Sequence, residues 1–300
     1  GFKDQKVETA DAIVPANRDV KIIDLLTMTA GLMYPDRNVN PSGDKMADLF
    51  DKFYERAFSG NGTYSTVEMC NEMGKIPLFA QPGTCWNYSV CADVLGAIVE
   101  VVSKKRLGDF LKDEIFTPLG MNDTDFWVPA EKQDRLAKVY DCREGQPSVR
   151  YLDNNLGIQN DMAYRPAYEA GGAGLASTID DYAKFTQMLL NGGTYNGVQI
   201  LRPATVKFLG GHTLSAVQQA GFDNWIGLEG FSYGNLMRVL VDPTRAVTLG
   251  SKGEFGWDGW LGCYMEVVPE QNMTFLMMTQ KKDAGTYTLS RKIRNIIFSE

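Results

Sequence analysis

The most informative stretch of the sequence is a turn that carries a tyrosine directly in front of a helix. Gln81-Pro82-Gly83-Thr84 is typical of a turn, and Tyr88 follows within Trp86-Asn87-Tyr88-Ser89-Val90. Apolar residues then recur at helical spacing, namely Val94, Leu95, Ile98, Val99 and Val102. A hydroxyl on a turn beside a rigid helix is well placed for catalysis. A structural tyrosine packed under a loop explains the same pattern.

The histidine and cysteine content excludes several kinds of active site. His212 is the one histidine in the sequence, and Gly210-Gly211-His212-Thr213 has no nucleophile elbow nearby. Zinc-protease motifs and two-histidine metal sites are therefore ruled out, and we predict no metal and no cofactor. The cysteines form no C-x-x-C pair and are typical of reduced thiols: Cys70, Cys85, Cys91, Cys142 and Cys263.

Composition limits the partners of this chain. With 44% hydrophobic and 22% charged residues, the sequence is typical of a globular protein with a large core. A net charge of −7 argues against a nucleic-acid partner. No apolar run reaches the roughly 18 residues of a membrane span, and residues 1–19 resemble neither a signal nor a transit peptide. The compartment stays open, with the cytoplasm favoured.

Periodicity predicts mostly helices in the first three quarters of the chain. Residues 20–32 and 46–58 have helical patterns, with a loop over residues 33–45. The helix after Tyr88 is followed by a second one that stops at Pro118. Residues 130–170 are polar and irregular, which suggests a lid or a loop-rich edge.

One more helix is predicted before the character of the sequence changes at about residue 226. Ser177-Thr178-Ile179-Asp180-Asp181 predicts one more helix start, and Asn196-Gly197 a tight turn. Three segments rich in β-formers follow, with a final helix after them: residues 236–241, 262–268 and 273–279. We therefore predict an α+β fold, with a mainly helical region over 1–225 and an antiparallel sheet with a C-terminal helix over 226–300. Together they would form one combined catalytic domain.

Four segments in this order resemble the serine β-lactamase and penicillin-binding superfamily, and most closely its class C-like branch, which includes the family VIII carboxylesterases. They are DLLTMTAGL (24–32), PGT with YSV and IFTPLGMNDT (82–124), EAGGAGLAST (169–178) and FGWDGWLGCY (255–264). The resemblance covers most of the chain and implies a β-lactamase-like fold and a small-molecule ester or lactam substrate.

In that superfamily an acyl-enzyme forms on the serine of an S-x-x-K motif that opens a buried helix. Tyr88 matches the family's general base. A free tyrosine has a pKa of about 10, so the nearby lysine ammonium is needed to favour the phenolate. The resemblance further implies that the Trp260 N–H forms half of an oxyanion hole, with the serine supplying the other half.

The matching serine and lysine are not evident. The one S-x-x-K string, Ser42-Gly43-Asp44-Lys45, follows the 24–32 block, whereas the family's nucleophile precedes it. We therefore expect an N-terminally incomplete chain that is inactive alone, with the nucleophile segment bound as a companion chain or borrowed from a neighbouring copy. A rearranged site that uses Ser42 and Lys45 is the alternative.

Two departures from the family pattern bear on the substrate. Val90 replaces the asparagine of Tyr-x-Asn, as in many esterase-like relatives, and Trp257-Asp258-Gly259 replaces Lys-Thr-Gly and resembles the esterases' Trp-Gly-Gly. A tryptophan offers apolar contact and one N–H donor in place of a cation, and Asp258 would repel an anionic substrate if it faced the site. Trp257 would suit a core position equally well.

These features predict a β-lactamase-related serine hydrolase that acts on neutral carboxyl esters, with Tyr88 as base and Val90, Trp257, Asp258, Gly259 and Trp260 around the acyl group. A β-lactamase, a D-amino peptide hydrolase or an acyltransferase of the same fold is the alternative within the enzyme class. A non-catalytic binding or assembly protein that has kept the fold is the alternative outside it.

Overall fold

The structure, a computed structural model, describes residues 2–9, 11–285 and 288–299. Its helices are α1 (Ile22–Leu26), α2 (Pro41–Phe58), α3 (Thr66–Met73), α4 (Cys91–Ser103), α5 (Leu107–Leu111), α6 (Thr117–Leu119), α7 (Ile179–Leu190), α8 (Pro203–Leu209), α9 (Ala216–Phe222) and α10 (Thr288–Ile297). Its strands are β1 (Lys6–Glu8), β2 (Ile13–Pro15), β3 (Tyr140–Asp141), β4 (Val149–Arg150), β5 (Thr194–Tyr195), β6 (Val198–Gln199), β7 (Phe231–Tyr233), β8 (Arg238–Leu240), β9 (Phe255–Asp258), β10 (Tyr264–Val268) and β11 (Met273–Met277).

A five-stranded antiparallel sheet in the order β11-β10-β9-β8-β7 follows the helical region, which confirms the α+β prediction. The three β-rich segments became β8, β10 and β11. In β9, Trp257 lies opposite Met265 and Asp258 lies opposite Tyr264. Because side chains alternate along a strand, Trp257 and Asp258 point to opposite faces of the sheet.

The predicted helix over 20–32 is much shorter in the structure. It ends after Leu26, and Met28 has a φ of 56°. The backbone beyond the helix bonds to the turn in front of Tyr88 instead of continuing its own helical ladder. The bonds are Asn87 N to Met28 O (2.8 Å), Gly83 N to Thr29 O (2.7 Å) and Phe79 N to Gly31 O (2.9 Å). Tertiary hydrogen bonds therefore outweigh the local apolar periodicity.

The predicted loop over 33–45 is wrong in its last residues, since α2 begins at Pro41. Asn40 is the N-cap, its side chain accepts a hydrogen bond from Gly43 N at 2.9 Å, and proline occupies the first helical position. Both are favoured at helix starts and offset the poor helix propensity of Gly43. The S-x-x-K string thus lies in the first turn of a helix.

The helix that begins at Leu107 does not stop at Pro118, contrary to the prediction. A π-helical turn over Lys112–Phe116 connects α5 to α6, and Gly120, with a φ of 69°, ends the run. The Thr117 N–H reaches the Lys112 carbonyl, five residues back. This widened turn accommodates a proline ring that would otherwise clash with a carbonyl four residues earlier.

Other local predictions are confirmed. Thr178 caps α7 by accepting from Asp181 N, and Asn196 and Gly197 form the turn of the β5–β6 hairpin. Residues 130–170 contain one 3-10 turn and two-residue strands.

Trp86 and Val90 share one hydrophobic core with Phe231. The two predicted stretches therefore pack together, and their boundary at residue 225 remains a prediction. Across the described ranges, every helix is too short or too polar to cross a membrane.

A buried arginine fixes α10 to the sheet. Arg294 contacts Glu254 at 2.6 Å and also pairs with Glu266, and the three side chains are at most 3% exposed. Burial, together with the neighbouring Glu266 carboxylate, raises the pKa of Glu254 to about 7. The guanidinium is thus required to keep two carboxylates in one small volume.

We expect Arg294→Met to lower the free energy of unfolding by about 3–5 kcal/mol, because it leaves two buried carboxylates without a cation. Lys292→Met, at an exposed position of the same helix, is the matched control and should change it by less than about 0.5 kcal/mol. Urea unfolding of both variants measures the difference. Equal stabilities would contradict this role for Arg294.

Candidate active site

A cleft of about 1870 Å³ lies between the helical region and the sheet. This volume exceeds the roughly 300–1,000 Å³ of ordinary ligand pockets. Tyr88, the third-motif residues 257–260 and the glycine-rich residues 171–177 all border it. Within the described ranges, no three His, Cys, Asp or Glu side chains converge in a way that could hold a metal ion.

The glycine-rich block packs directly on the first turn of α4. A side chain at Gly171 would meet the Ala92 carbonyl at 2.5 Å, so this approach requires glycine. The buried Asp93 carboxylate accepts from Tyr168 Oη at 2.6 Å and from Gly172 N at 3.3 Å. Burial raises the pKa of Asp93, and these bonds act against that rise. They hold the block against the helix that follows Tyr88.

Tyr88 stands in a cluster of aromatic rings where the helical region meets the sheet. Trp257 Nε1 donates a hydrogen bond to the Tyr88 hydroxyl at 3.0 Å. The Tyr34 ring lies 5.4 Å from the Tyr88 ring, centroid to centroid. The rings of Trp225 and Trp257 each lie 5.3 Å from the Tyr88 ring, centroid to centroid. The structure therefore brings Tyr88, the predicted base, into contact with Trp257, one of the residues predicted around the acyl group.

Burial raises the pKa of Tyr88 to about 12. The Trp257 indole and the Tyr34 hydroxyl act against this rise in pKa, whereas the carboxylates of Asp258 and Asp93 add to it. In the described part of the chain, no lysine or arginine hydrogen-bonds to the Tyr88 hydroxyl. Tyr88 is therefore a neutral phenol near pH 7, and a base role requires a cation from elsewhere.

Asp258 does not offer a free charge to a substrate, although the residue borders the cleft. Its carboxylate pairs with Arg238 Nη1 at 3.1 Å, and the two side chains are 6% and 2% exposed. Burial raises the pKa of Asp258 to about 6, and Arg238 acts against the rise. The repulsion of anionic substrates considered from the sequence is thus offset by a paired arginine.

Gly259 and Trp260 form a tight turn after β9. Gly259 N donates to Cys263 O at 2.7 Å, and Gly259 O accepts from Gly262 N at 2.8 Å. The Trp260 N–H donates to no acceptor in the described ranges, so it is available for a substrate oxygen. The Trp260 indole donates to Asp283 at 2.6 Å.

Val90 lies elsewhere than expected. It is 0% exposed, belongs to the hydrophobic core and does not border the cleft. As the residue directly before α4, it is turned inward with the first turn of that helix. The structure therefore offers no surface of Val90 for a substrate to contact.

Ser42 and Lys45 are not brought to Tyr88 either. Ser42 is 2% exposed and does not border the cleft. Lys45 Nζ pairs with Glu8 at 2.6 Å. The rearranged Ser42 site therefore lacks support in this fold.

The sequence interpretation missed three residues that shape the site. Tyr34 lies just past the 24–32 block, Trp225 stacks on Trp257 with centroids 5.5 Å apart, and Arg238 neutralises Asp258. Neither Tyr34 nor Trp225 lies in a periodic segment, so no pattern marked it. An arginine inside a predicted β-segment was the one available signal, because a buried cation needs a partner.

Comparisons with known proteins identify the family of this chain. The family model described as Beta-lactamase matches residues 4–296. Protein Rv1367c of Mycobacterium tuberculosis is 32% identical over 277 residues, which cover 90% of this chain and 64% of that protein. Lovastatin esterase of Penicillium rubens is 29% identical over 265 residues, covering 87% of this chain and 61% of the esterase. This chain thus spans less than two thirds of the length of either relative.

A solved structure shows the same fold. EstCE1, described as a hydrolase with promiscuous acyltransferase activity, superposes with a TM-score of 0.77 at 23% identity. The match covers 97% of this chain and 74% of EstCE1. It confirms the predicted β-lactamase-like architecture.

The burial of Asp258 predicts a pH-dependent stability that Asp258→Asn removes. The pKa of Asp258 is about 6 in the folded chain and has its ordinary value of 3.8 in the unfolded chain. As the pH rises from about 4 to about 6, Asp258 therefore ionises in the unfolded chain first, and the native state loses stability over this range. The free energy of unfolding of the wild type minus that of the variant should therefore fall by about 2–3 kcal/mol across this range. Urea unfolding at several pH values measures it, and a constant difference would refute the buried placement.

Proposed function

The chain belongs to the beta-lactamase family, and from this membership we propose that it works in a serine hydrolase that cleaves neutral carboxyl esters through an acyl-serine. The observation that carries the proposal is the hydrogen bond from Trp257 Nε1 to the Tyr88 hydroxyl. It holds a candidate base at the cleft with a neutral donor at the position where the resemblance expects a lysine.

We place the acylated serine and its lysine outside residues 1–300. Ser177 is the one serine among the described residues that border the cleft, and its hydroxyl is bonded to Thr124 at 2.8 Å. Tyr88 needs a cation that these residues do not supply. The greater length of the relatives leaves room for such a segment. Strand β11 is an edge of the sheet and can pair with a further strand.

The proposed reaction uses the groups at this end of the cleft. The lysine of the added segment favours the Tyr88 phenolate. This phenolate takes the proton of the serine hydroxyl while the serine oxygen bonds to the ester carbonyl carbon. The Trp260 N–H stabilises the oxyanion. The carbon–oxygen bond to the alcohol then breaks and Tyr88 returns the proton to the alcohol. Tyr88 then takes a proton from a water molecule, whose oxygen bonds to the acyl carbon. The bond from that carbon to the serine oxygen breaks, which releases the carboxylic acid and the free serine.

The surroundings of Tyr88 favour neutral acyl groups. Tyr34, Trp225 and Trp257 present aromatic surface there. The charges of Asp258 and Arg238 nearby neutralise each other. A β-lactam carboxylate would find no cation at the third motif. Lovastatin esterase and EstCE1 are named for ester and acyl chemistry, which supports the same choice.

A fluorophosphonate probe tests where the nucleophile lies. Intact-mass spectra are recorded for residues 1–300 alone and for the natural full-length protein. We expect no adduct on the first and one adduct on the second, located by peptide mapping outside residues 1–300. An adduct on Ser42 would overturn this placement, and a full-length protein that is never labelled would favour a non-catalytic protein.

In the full-length enzyme without the probe, Tyr88→Phe should lower kcat for a p-nitrophenyl ester by about 10²–10⁴-fold with little change in KM, because it removes proton transfer. Tyr164→Phe is the matched control, since Tyr164 is 63% exposed. Activity on a chromogenic cephalosporin is measured in parallel. Full activity of Tyr88→Phe would contradict the base role, and faster turnover of the cephalosporin would indicate a β-lactamase.

A further inference from the structure

A second, much smaller cavity lies under α10, next to Arg238. Its volume is about 10 Å³, on the order of the space one water molecule or one monatomic ion occupies. Three arginines border it, together with Thr248 and Tyr264: Arg238, Arg291 and Arg294. None of these residues takes part in the proposed reaction.

Two of the arginines have a buried N–H donor without an acceptor in the described ranges. The atoms are Arg238 Nη2 and Arg291 Nε. Arg238 is 1% exposed, and its Nη1 is already used by Asp258. A buried donor that finds no partner costs about 1–3 kcal/mol, and more when it is charged. Two such donors at one cavity call for an acceptor inside it.

Arg294 has no such donor without an acceptor, in contrast to Arg238 and Arg291. Its Nε donates to Thr248 at 3.2 Å, its Nη1 to Glu266, and its Nη2 to Glu254 at 2.6 Å. Each of its guanidinium nitrogens therefore already has an acceptor.

The charges around the cavity also leave room for an anion. Arg291 forms no ion pair with a carboxylate in the part of the chain that the structure describes. Glu254 and Glu266 pair with Arg294, Asp258 pairs with Arg238, and none of these carboxylates borders the cavity.

We propose that this cavity binds a chloride ion, held by Arg238 Nη2 and Arg291 Nε. A water molecule would accept the same hydrogen bonds but would leave the guanidinium of Arg291 without a counter-ion. A phosphate or sulfate is too large for the volume. The ion would join β8 to α10 and thereby brace the strand that carries the partner of Asp258.

Bromide exchange locates the ion directly. Crystals of the full-length protein are transferred to bromide, and anomalous data are collected at the bromine edge. We expect a peak within hydrogen-bonding distance of both Arg238 Nη2 and Arg291 Nε. A peak that is absent there, with a water or a protein acceptor in its place, overturns the proposal.

Thermal unfolding tests the energetic role. At constant ionic strength, replacement of gluconate by chloride should raise the Tm by about 2–3 °C once chloride reaches roughly ten times its dissociation constant. Arg291→Met should abolish this shift, and the neighbouring exposed Lys292→Met should retain it. Arg238→Met is avoided because it also leaves Asp258 buried without a cation. Identical chloride responses in both variants, or none in the wild type, would contradict the site.

Discussion

The hydrogen bond from Trp257 Nε1 to the Tyr88 hydroxyl joins the two halves of the fold at the point where the chemistry is proposed to occur. On one side, Tyr88 is fixed by a turn whose backbone bonds to residues 28–31. On the other, Trp257 stands on β9, the middle strand of the sheet. The rings of Tyr233 and Trp225 lie 5.0 and 5.5 Å from the Trp257 ring, centroid to centroid, and prevent it from turning away.

This arrangement positions Tyr88 well but makes it a weak base. A pKa of about 12 instead of 10 disfavours the phenolate by roughly 3 kcal/mol. One cation about 4 Å away, at an effective dielectric constant of about 20, contributes on the order of 4 kcal/mol in the opposite direction. A single lysine is thus enough to reverse the effect of burial. The residues that position Tyr88 can therefore belong to one segment and the cation that would activate it to another.

The sequence predicted the features that depend on local periodicity and capping. The apolar spacing after Tyr88 became α4, and the hydroxyl and carboxylates at 177–181 became the start of α7. The wrong predictions concern elements whose ends depend on hydrogen bonds to distant parts of the backbone. Helix α1 ends early because residues 28–31 bond to backbone about fifty residues further along the chain, and no periodicity contains that information.

The same distinction holds within the site. Tyr88 and Trp257 were identified by motif, and the fold brings them into contact. Val90 was assigned by its place in the motif, but the direction of a side chain at a helix start depends on how the helix packs, and it points into the core. Tyr34 and Trp225 reach Tyr88 from separate loops, so the sequence alone could not place them there.

The two unusual residues of the third motif have one physical explanation. In a strand, neighbours face opposite ways, so replacement of lysine by Trp257 acts on the cleft side and replacement of threonine by Asp258 acts on the far side. Arg238, on the adjacent strand, would be a buried cation without an acid if Asp258 were neutral. The chain therefore keeps a charge pair inside the sheet and leaves the cleft face of β9 uncharged. A strand built in this way can hold an aromatic donor against Tyr88 without attracting an anionic substrate, which is why we connect this geometry with neutral esters.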